Sequence, residues 1–402
     1  MSQLLTTGSA LAPALEAKLV SMLENLTAAI KVTAPSNFRP GIEFDGSEGV
    51  ATTPGYTEAP NFDQFLLEAG FDPSEIEVVG TPRTSRWQRY DGEWLTSYRF
   101  QFRKITAGID LPLLLAEAKK KVKVDPLKQT TDKCLVVMWS DLQVGKVDYR
   151  GNSQSLIERV ELMKARLMEM IKREKPSKVI FADLGDTVEN FNNAADTAQL
   201  QSNDLSIMSQ VDLATTFAWE TLRLIASKVP DVTYASVGSN HCQWRVNKQV
   251  VGKPSDDWGI FIGRQLARLS KELSLPIRFI EPQEHDESLA IDVFGDGFHI
   301  LGIAHGHQAK RPDMMATWWR GQAFGRQPVS DASLLIHGHW HHLRVTELGS
   351  TPRGTSRFMV MAPTMDNGSG WWRKITGEDS VPGLATLILE KGVDYTGTVY
   401  KL

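Results

Sequence analysis

Five short polar clusters carry most of the residue types that hold ions or move protons. They are Ser140-Asp141-Leu142-Gln143, Gly185-Asp186-Thr187-Val188-Glu189-Asn190, Ser239-Asn240-His241, His305-Gly306-His307 and His337-Gly338-His339-Trp340-His341. Each follows a short apolar run that reads as a strand, and open α/β sheets place their ligand sites at the carboxyl ends of strands. Six of the nine histidines (His305, His307, His337, His339, His341 and His342) fall within residues 305–342, far above an even spread. Clustered imidazoles suggest a metal. Taken singly each cluster is weak, because an Asp or Asn after a strand is most often a turn residue or a helix cap. Their order along the chain carries the weight.

Over residues 134 to about 365 that order resembles the calcineurin-like metallophosphoesterases, a family of two-metal phosphate-ester hydrolases whose motifs run Asp-x-His, Gly-Asp-x-x-Asp, Gly-Asn-His-Asp, His, Gly-His-x-His. Gly338-His339-Trp340-His341 is the strongest element, with Gly338 expected to permit a tight bend that sends the two imidazoles to different ions. The resemblance implies one ion held by Asp141, Gln143, Asp186 and His341. It implies a second held by Asp186, Asn240, His305 and His339, with Asp186 bridging. Mixed nitrogen and oxygen ligation suits Mn²⁺, with Fe or Zn²⁺ as alternatives, better than Ca²⁺ or Mg²⁺ alone. A water activated between the ions would attack phosphorus in line, and His241 would protonate or steady the leaving oxygen.

Four positions depart from the family pattern. Gln143 stands where His is usual and offers an amide oxygen, a harder and weaker ligand. Glu189 stands for Asp, Ser239 for the Gly before Asn240, and Cys242 for the Asp that normally follows His241 and orients it. His305 and His307 compete for one ligand place, and His305 is preferred because it ends the apolar run directly. His342 reads as a surface residue or one packed behind the ligands, His285 and His299 as unrelated to the site, and Cys242 as a small packing residue.

The elements that must position these residues follow from apolar runs and turn chemistry. From residue 134 onward, CLVVMWS (134–140), KVIFADL (178–184) and VTYASV (232–237) alternate with helices near 153–173 and 199–228, which argues for an α/β sheet. Further strands are expected at 288–295, 298–304, 333–336, 357–363 and 384–390. The expected fold is a four-layer αββα metallophosphoesterase sandwich at 134–402. A small α+β module (1–123) and a linker (124–133) precede it. The module should hold a helix over 1–35, a loop over 44–60, a helix over 61–71 opened by Asn61 and closed at Gly70, and a helix over 111–124. Between the last two a hairpin turns at Asp91-Gly92, where positive φ angles would make a tight primed turn.

Composition excludes several classes. With 42% hydrophobic and 23% charged residues the chain is neither fibrous nor disordered, and no apolar run reaches the roughly 18 residues of a membrane span. Two cysteines are too few for a disulfide framework, and with no basic, apolar start a cytoplasmic protein is expected. The net charge of −4 argues against a general polyanion binder but permits local basic surfaces. One such surface is the hairpin, where Arg83, Arg86, Arg89, Arg99, Arg103 and Lys104 outnumber Asp91 and Glu93 and interleave with Trp87, Tyr90, Trp94 and Tyr98. It is either a nucleic-acid contact or a solvated cationic face. Lys119, Lys120, Lys121, Lys123 and Lys128 extend it.

Arg245 and Arg320 are candidate substrate contacts, with Arg311, Trp318, Trp319, Arg326 and Trp371-Trp372-Arg373-Lys374 nearby in sequence. Within the family the motif order is most similar to the SbcD-like double-strand-break repair endo/exonucleases and their bacteriophage-encoded relatives. That resemblance implies DNA as substrate, with an SbcC-like ATPase and a second copy of the chain as partners. The alternatives are a phosphatase for small molecules or phosphoproteins, and a degenerate phosphoesterase that only binds.

Overall fold

The computed structural model describes residues 39–45, 48–104, 126–128, 130–191, 203–246, 249–370, 373–374, 377 and 380–402. The helices expected over 1–35 and 111–124, Lys119 to Lys123, and Trp371-Trp372 lie outside them. By its internal contacts the chain divides into two units, Met1–Ile109 and Asp110–Leu402.

In the first unit, β1 (Gly41–Phe44), β2 (Glu48–Thr52), β3 (Ile76–Gln88) and β4 (Trp94–Lys104) form an antiparallel sheet in the order β1-β2-β4-β3. Helix α1 (Phe62–Glu68) packs on it through Leu66, whose cluster includes Ala51, Ile76, Phe100 and Phe102. Asn61 caps the helix by accepting from the Asp63 and Gln64 amides, and Gly70 ends it at a φ of 88°. The loop expected over 44–60 contains β2. Its Gly and Thr residues hid the strand, yet Gly49 is needed there because the Phe102 ring leaves no room for a Cβ. The hairpin turn also differs. Of Asp91 and Gly92 only Gly92 has positive φ, and the Arg89 amide donates to the Glu93 carbonyl (2.7 Å), so the loop spans three residues rather than two.

The second unit is mixed α/β. Its first sheet runs β10-β7-β6-β5-β16-β17, with β5 (Thr131–Trp139), β6 (Pro176–Asp183), β7 (Asp231–Ser236) and β10 (Ile277–Ile280) parallel. Strands β16 (Ala385–Glu390) and β17 (Val399–Lys401) add antiparallel to its other edge, while β8 (Arg245–Val246) and β9 (Gln249–Val250) pair separately as a short antiparallel ribbon. The second sheet runs β11-β12-β13-β15-β14, in which β12 (Ile300–Ala304), β13 (Leu334–His337) and β15 (Ser356–Met361) are parallel. Strands β11 (Ser288–Asp292) and β14 (Arg344–Ser350) close it antiparallel. Strand β5 takes in Thr131, Asp132 and Lys133, which composition had assigned to a linker.

One hydrophobic cluster joins the two sheets. Val136, Met138, Ile180, Ala182 and Ala235 of the first meet Leu301, Ile303, Leu334, Ile336 and Val360 of the second. The residues that alternate with these in β5, Leu135, Val137 and Trp139, are also fully buried. Parallel strands covered on both faces therefore read as unbroken apolar runs, which is why they were visible in the sequence. Helices α2 (Ser153–Glu174), α3 (Ile207–Ala226) and α4 (Trp258–Glu272) contact β5, β7 and β10. Helix α5 (Met315–Phe324) packs Met315 and Trp319 against Ala304, Leu335 and Met359 of the second sheet. Helices α4 and α5 and strands β10, β14 and β17 had no counterpart in the sequence reading. No helix among the described residues is long and apolar enough to cross a membrane.

Candidate metal centre

All five polar clusters follow parallel strands: β5, β6 and β7 in one sheet, β12 and β13 in the other. Parallel strands put their carboxyl ends on one side, so residues far apart in sequence meet there. Within each sheet the main chains of neighbouring strands are tied at this edge. The Asp141 amide donates to the Gly185 carbonyl (3.1 Å), Gln143 to Asp186 (2.8 Å) and Gly338 to His305 (2.8 Å).

Among the described residues, Asp186, His305 and His339 form a group whose ligand atoms all lie within 4.8 Å of one another. His305 Nδ1 donates to the Leu184 carbonyl (2.7 Å), which turns Nε2 toward Asn240 Oδ1 (2.9 Å) and Asp186 Oδ2 (3.2 Å). This backbone anchor is the usual way a protein aims a histidine ligand. Burial opposes charge on His305, but Asp186 outweighs it and lifts the imidazole to about 9. Asp186 is held well below the usual carboxylate range, since His305 and His241 outweigh the cost of burying it. Burial, helped by the neighbouring His305, keeps His339 neutral, the form that ligates. These donors fit a buried metal ion, which would take the place of the proton on His305 Nε2.

A second group lies beside the first. The His339 amide donates to both carboxylate oxygens of Asp141 (3.2 and 3.1 Å), the Ser140 hydroxyl donates to Asp141 Oδ2, and His341 Nε2 approaches Asp141 Oδ1 (3.4 Å). Gln143 is directed elsewhere. Its Oε1 accepts from Lys146 Nζ at 2.6 Å, and Lys146 also donates to Asp366 Oδ2 at 2.6 Å.

Comparison of the chain with protein-family models and with curated proteins finds no match. Nine non-glycine residues among those described have positive φ, and five of them are Asp141, Gln143, Asp186, His339 and His341. Each such residue costs about 1 kcal/mol or more, and such strain concentrates where side chains are aimed for a purpose.

Gly338 is a correction to the expected bend, because the positive φ angles fall on His339 (72°) and His341 (60°) instead. Glycine is required at 338 for space: a Cβ would collide with Ser140 Oγ and Asp141 Oδ2. Gly338→Ala is accordingly expected to displace Asp141 and His339 together. Loss of Mn²⁺ retention in a variant whose circular dichroism is unchanged would register it, and unaltered retention would contradict it.

His241 stands at the rim with its side chain largely buried. Its amide donates to Asp186 Oδ1 (2.9 Å) and its Nδ1 lies 3.1 Å from Glu189 Oε2. Glu189 thus does the orienting that Cys242 cannot, while Cys242 is a buried free thiol packed under the loop, as its size suggested. Burial opposes charge on His241 but Asp186 and Glu189 prevail, raising it to about 9. Ser239 is accommodated too, its hydroxyl accepting from the Asp186 amide (2.8 Å).

Of the remaining candidates, Arg245 joins this loop through the Asn240 carbonyl (3.3 Å) and Gln243 (3.0 Å). Arg320 is exposed on α5, and no hydrogen bond or ion pair among the described residues links it to the centre. Trp319 next to it is a core residue whose Nε1 donates to the Val329 carbonyl (2.9 Å). His307 lies 3.5 Å from Glu287, and burial pushes His337 down to about 4, leaving His305 as the ligand candidate.

Lys146 and Asp366 were missed. Asp366 follows β15, another parallel strand of the second sheet, so the strand-end rule applied once more would have found it. Lys146 follows Gly145 in the first cluster's own loop and carries no motif.

Proposed function

We propose that the chain is a metal-dependent phosphoester hydrolase of the calcineurin-like type, acting on phosphodiesters and on DNA in particular. The observation that carries this reading is the convergence of Asp186, His305 and His339 from three strand ends in two sheets, with Asn240 and His241 beside them. Helices α2, α3 and α4 against the first sheet, an apolar cluster between the sheets and α5 against the second are what an αββα sandwich would require.

Asp186, Asn240, His305 and His339 would hold a divalent ion, Mn²⁺ first, with Fe and Zn²⁺ as alternatives. When bound, such an ion supplies positive charge to phosphoryl oxygens and lowers the pKa of a water. The chain's own residues do the rest. His241, fixed by Glu189, donates a proton to the leaving oxygen. Arg245, on the same loop, offers a guanidinium to the phosphate. The structural accommodation of Glu189 and Ser239 counts against a degenerate module that only binds.

A phosphatase for small phosphoesters is the second reading, and one observation favours it. On the basic hairpin Arg89 pairs with Asp91 and with Glu93 (2.8 Å), and Arg103 pairs with Glu77 (2.7 Å), which cancels part of the charge that a polyanion would meet. Arg86 stacks over the half-exposed Trp94 (5.0 Å) and keeps a nucleic-acid contact in play.

The test incubates the pure protein and Mn²⁺ with linear double-stranded DNA, single-stranded DNA, bis(p-nitrophenyl) phosphate and p-nitrophenyl phosphate side by side. Diester cleavage that EDTA stops is expected. DNA affinity should fall steeply with salt, with a log–log slope close to the number of phosphates neutralised. Turnover of the monoester alone would transfer the site to the phosphatase reading, and no turnover of any substrate would remove the enzyme.

A further inference from the structure

We infer that the chain binds one divalent ion rather than two, and that the Lys146–Asp366 ion pair stands where the second ion of a two-metal site would be held. The inference rests on the phosphoesterase reading above and deepens it. Its ground is an asymmetry between the two sets of ligand candidates. Asp186, Asn240, His305 and His339 point their donor atoms at one another. In the other set, Gln143 gives its only side-chain oxygen to the Lys146 ammonium at 2.6 Å. An ion taking that oxygen would have to share it with a positive charge. His341 Nε2 lies 3.4 Å from Asp141 Oδ1, and its Nδ1 faces the lysine-paired Asp366 carboxylate at 3.8 Å.

The ion pair is built rather than incidental. The side chain of Lys146 is 11% exposed and that of Asp366 is wholly buried, so each needs the other. Asp366 Oδ1 accepts from the Gly368 amide (2.7 Å), and the Asp366 amide donates to Thr364 Oγ1 (3.0 Å). Thr364 Oγ1 in turn donates to the Asp141 carbonyl (3.0 Å). Arg159 donates to the carbonyls of Met365 (3.1 Å) and Asp366 (3.0 Å), and Asn367 Nδ2 donates to the Lys146 carbonyl (2.7 Å). Loop 364–368 thereby holds the carboxylate and the lysine backbone in one frame. The glutamine at 143 fits this arrangement. Its amide oxygen is a good acceptor for an ammonium and a weaker metal ligand than imidazole.

The experiment loads the full chain with Mn²⁺, desalts it, and measures metal by mass spectrometry and by electron paramagnetic resonance. One ion per chain with an uncoupled six-line spectrum is expected. Lys146→Met, which leaves Asp366, Asp141, Gln143 and His341 without the ammonium, is expected to raise the content toward two ions with an exchange-coupled spectrum. Two coupled ions in the unaltered protein would overturn the inference while leaving the phosphoesterase reading intact. One ion in both proteins would overturn the role of Lys146, and no ion in either would overturn both readings. If Lys146→Met does not fold, the spectrum of the unaltered protein still decides, and Lys146→Gln supplies a polar replacement.

Discussion

Asp186→Asn is expected to lose turnover by on the order of 10³-fold or more, the scale of removing a preorganised charge from a buried site. The carboxylate is 1% exposed, lies 3.2 Å from His305 Nε2 and accepts the His241 amide at 2.9 Å. An amide of the same shape can keep the bond to the His241 amide, so the loop should hold its place. It cannot supply the negative charge that an ion requires, and it leaves His305 facing a neutral group. Metal content after desalting should therefore fall together with activity, while the unfolding transition in EDTA stays within about 1–2 kcal/mol of the unaltered protein. Full activity in Asp186→Asn would end the assignment of this centre. A large loss of stability in EDTA would make Asp186 a structural residue instead.

His241→Ala should behave in the opposite way, retaining metal while slowing catalysis by about 10²–10⁴-fold if the imidazole is the general acid. The side chain touches the centre through its Glu189 contact at 3.1 Å, and its distance to Asp186 Oδ2 is 3.9 Å. Donation to the leaving oxygen matters most when that oxygen is a poor leaving group. The loss should be large with DNA, whose departing oxygen is an alkoxide, and small with bis(p-nitrophenyl) phosphate, whose phenolate leaves without help. Equal losses on both substrates would assign His241 to phosphate binding rather than proton transfer. Glu189→Gln should show the same substrate dependence at smaller amplitude, since it loosens the ring without removing it.

Much of this centre was legible in the chain. Strands β5, β6, β12 and β13 contain apolar runs, and β7 a largely apolar one, because helices or the opposing sheet cover both faces, and the residue after such a run must lie near a strand end. That logic puts Asp141, Asp186, Asn240, His305 and His339 at strand ends from the sequence alone. It failed in the first unit, where β2 is five residues long, contains Gly49 and sits among turn residues, and so reads as a loop. It also failed on the face of the hairpin, because ion pairs such as Arg103 with Glu77 depend on strand register rather than on composition.

By itself the sequence determined which chemistry is available: carboxylates, an asparagine and imidazoles, each at the end of a strand. Those positions are local, since a strand and its exit need only the run of residues around them. The tertiary structure alone decided which of them meet. Glu189 reaches His241 across 52 residues and Lys146 reaches Asp366 across 220, and no local pattern encodes either contact. The left-handed backbone at five ligand candidates has the same origin, because strain of that kind persists only where the packed loops of two sheets impose it. The tertiary structure likewise gave the oxygen of Gln143 to an ammonium, because a buried lysine and a buried aspartate must find each other, and the amide lies within reach of that pair.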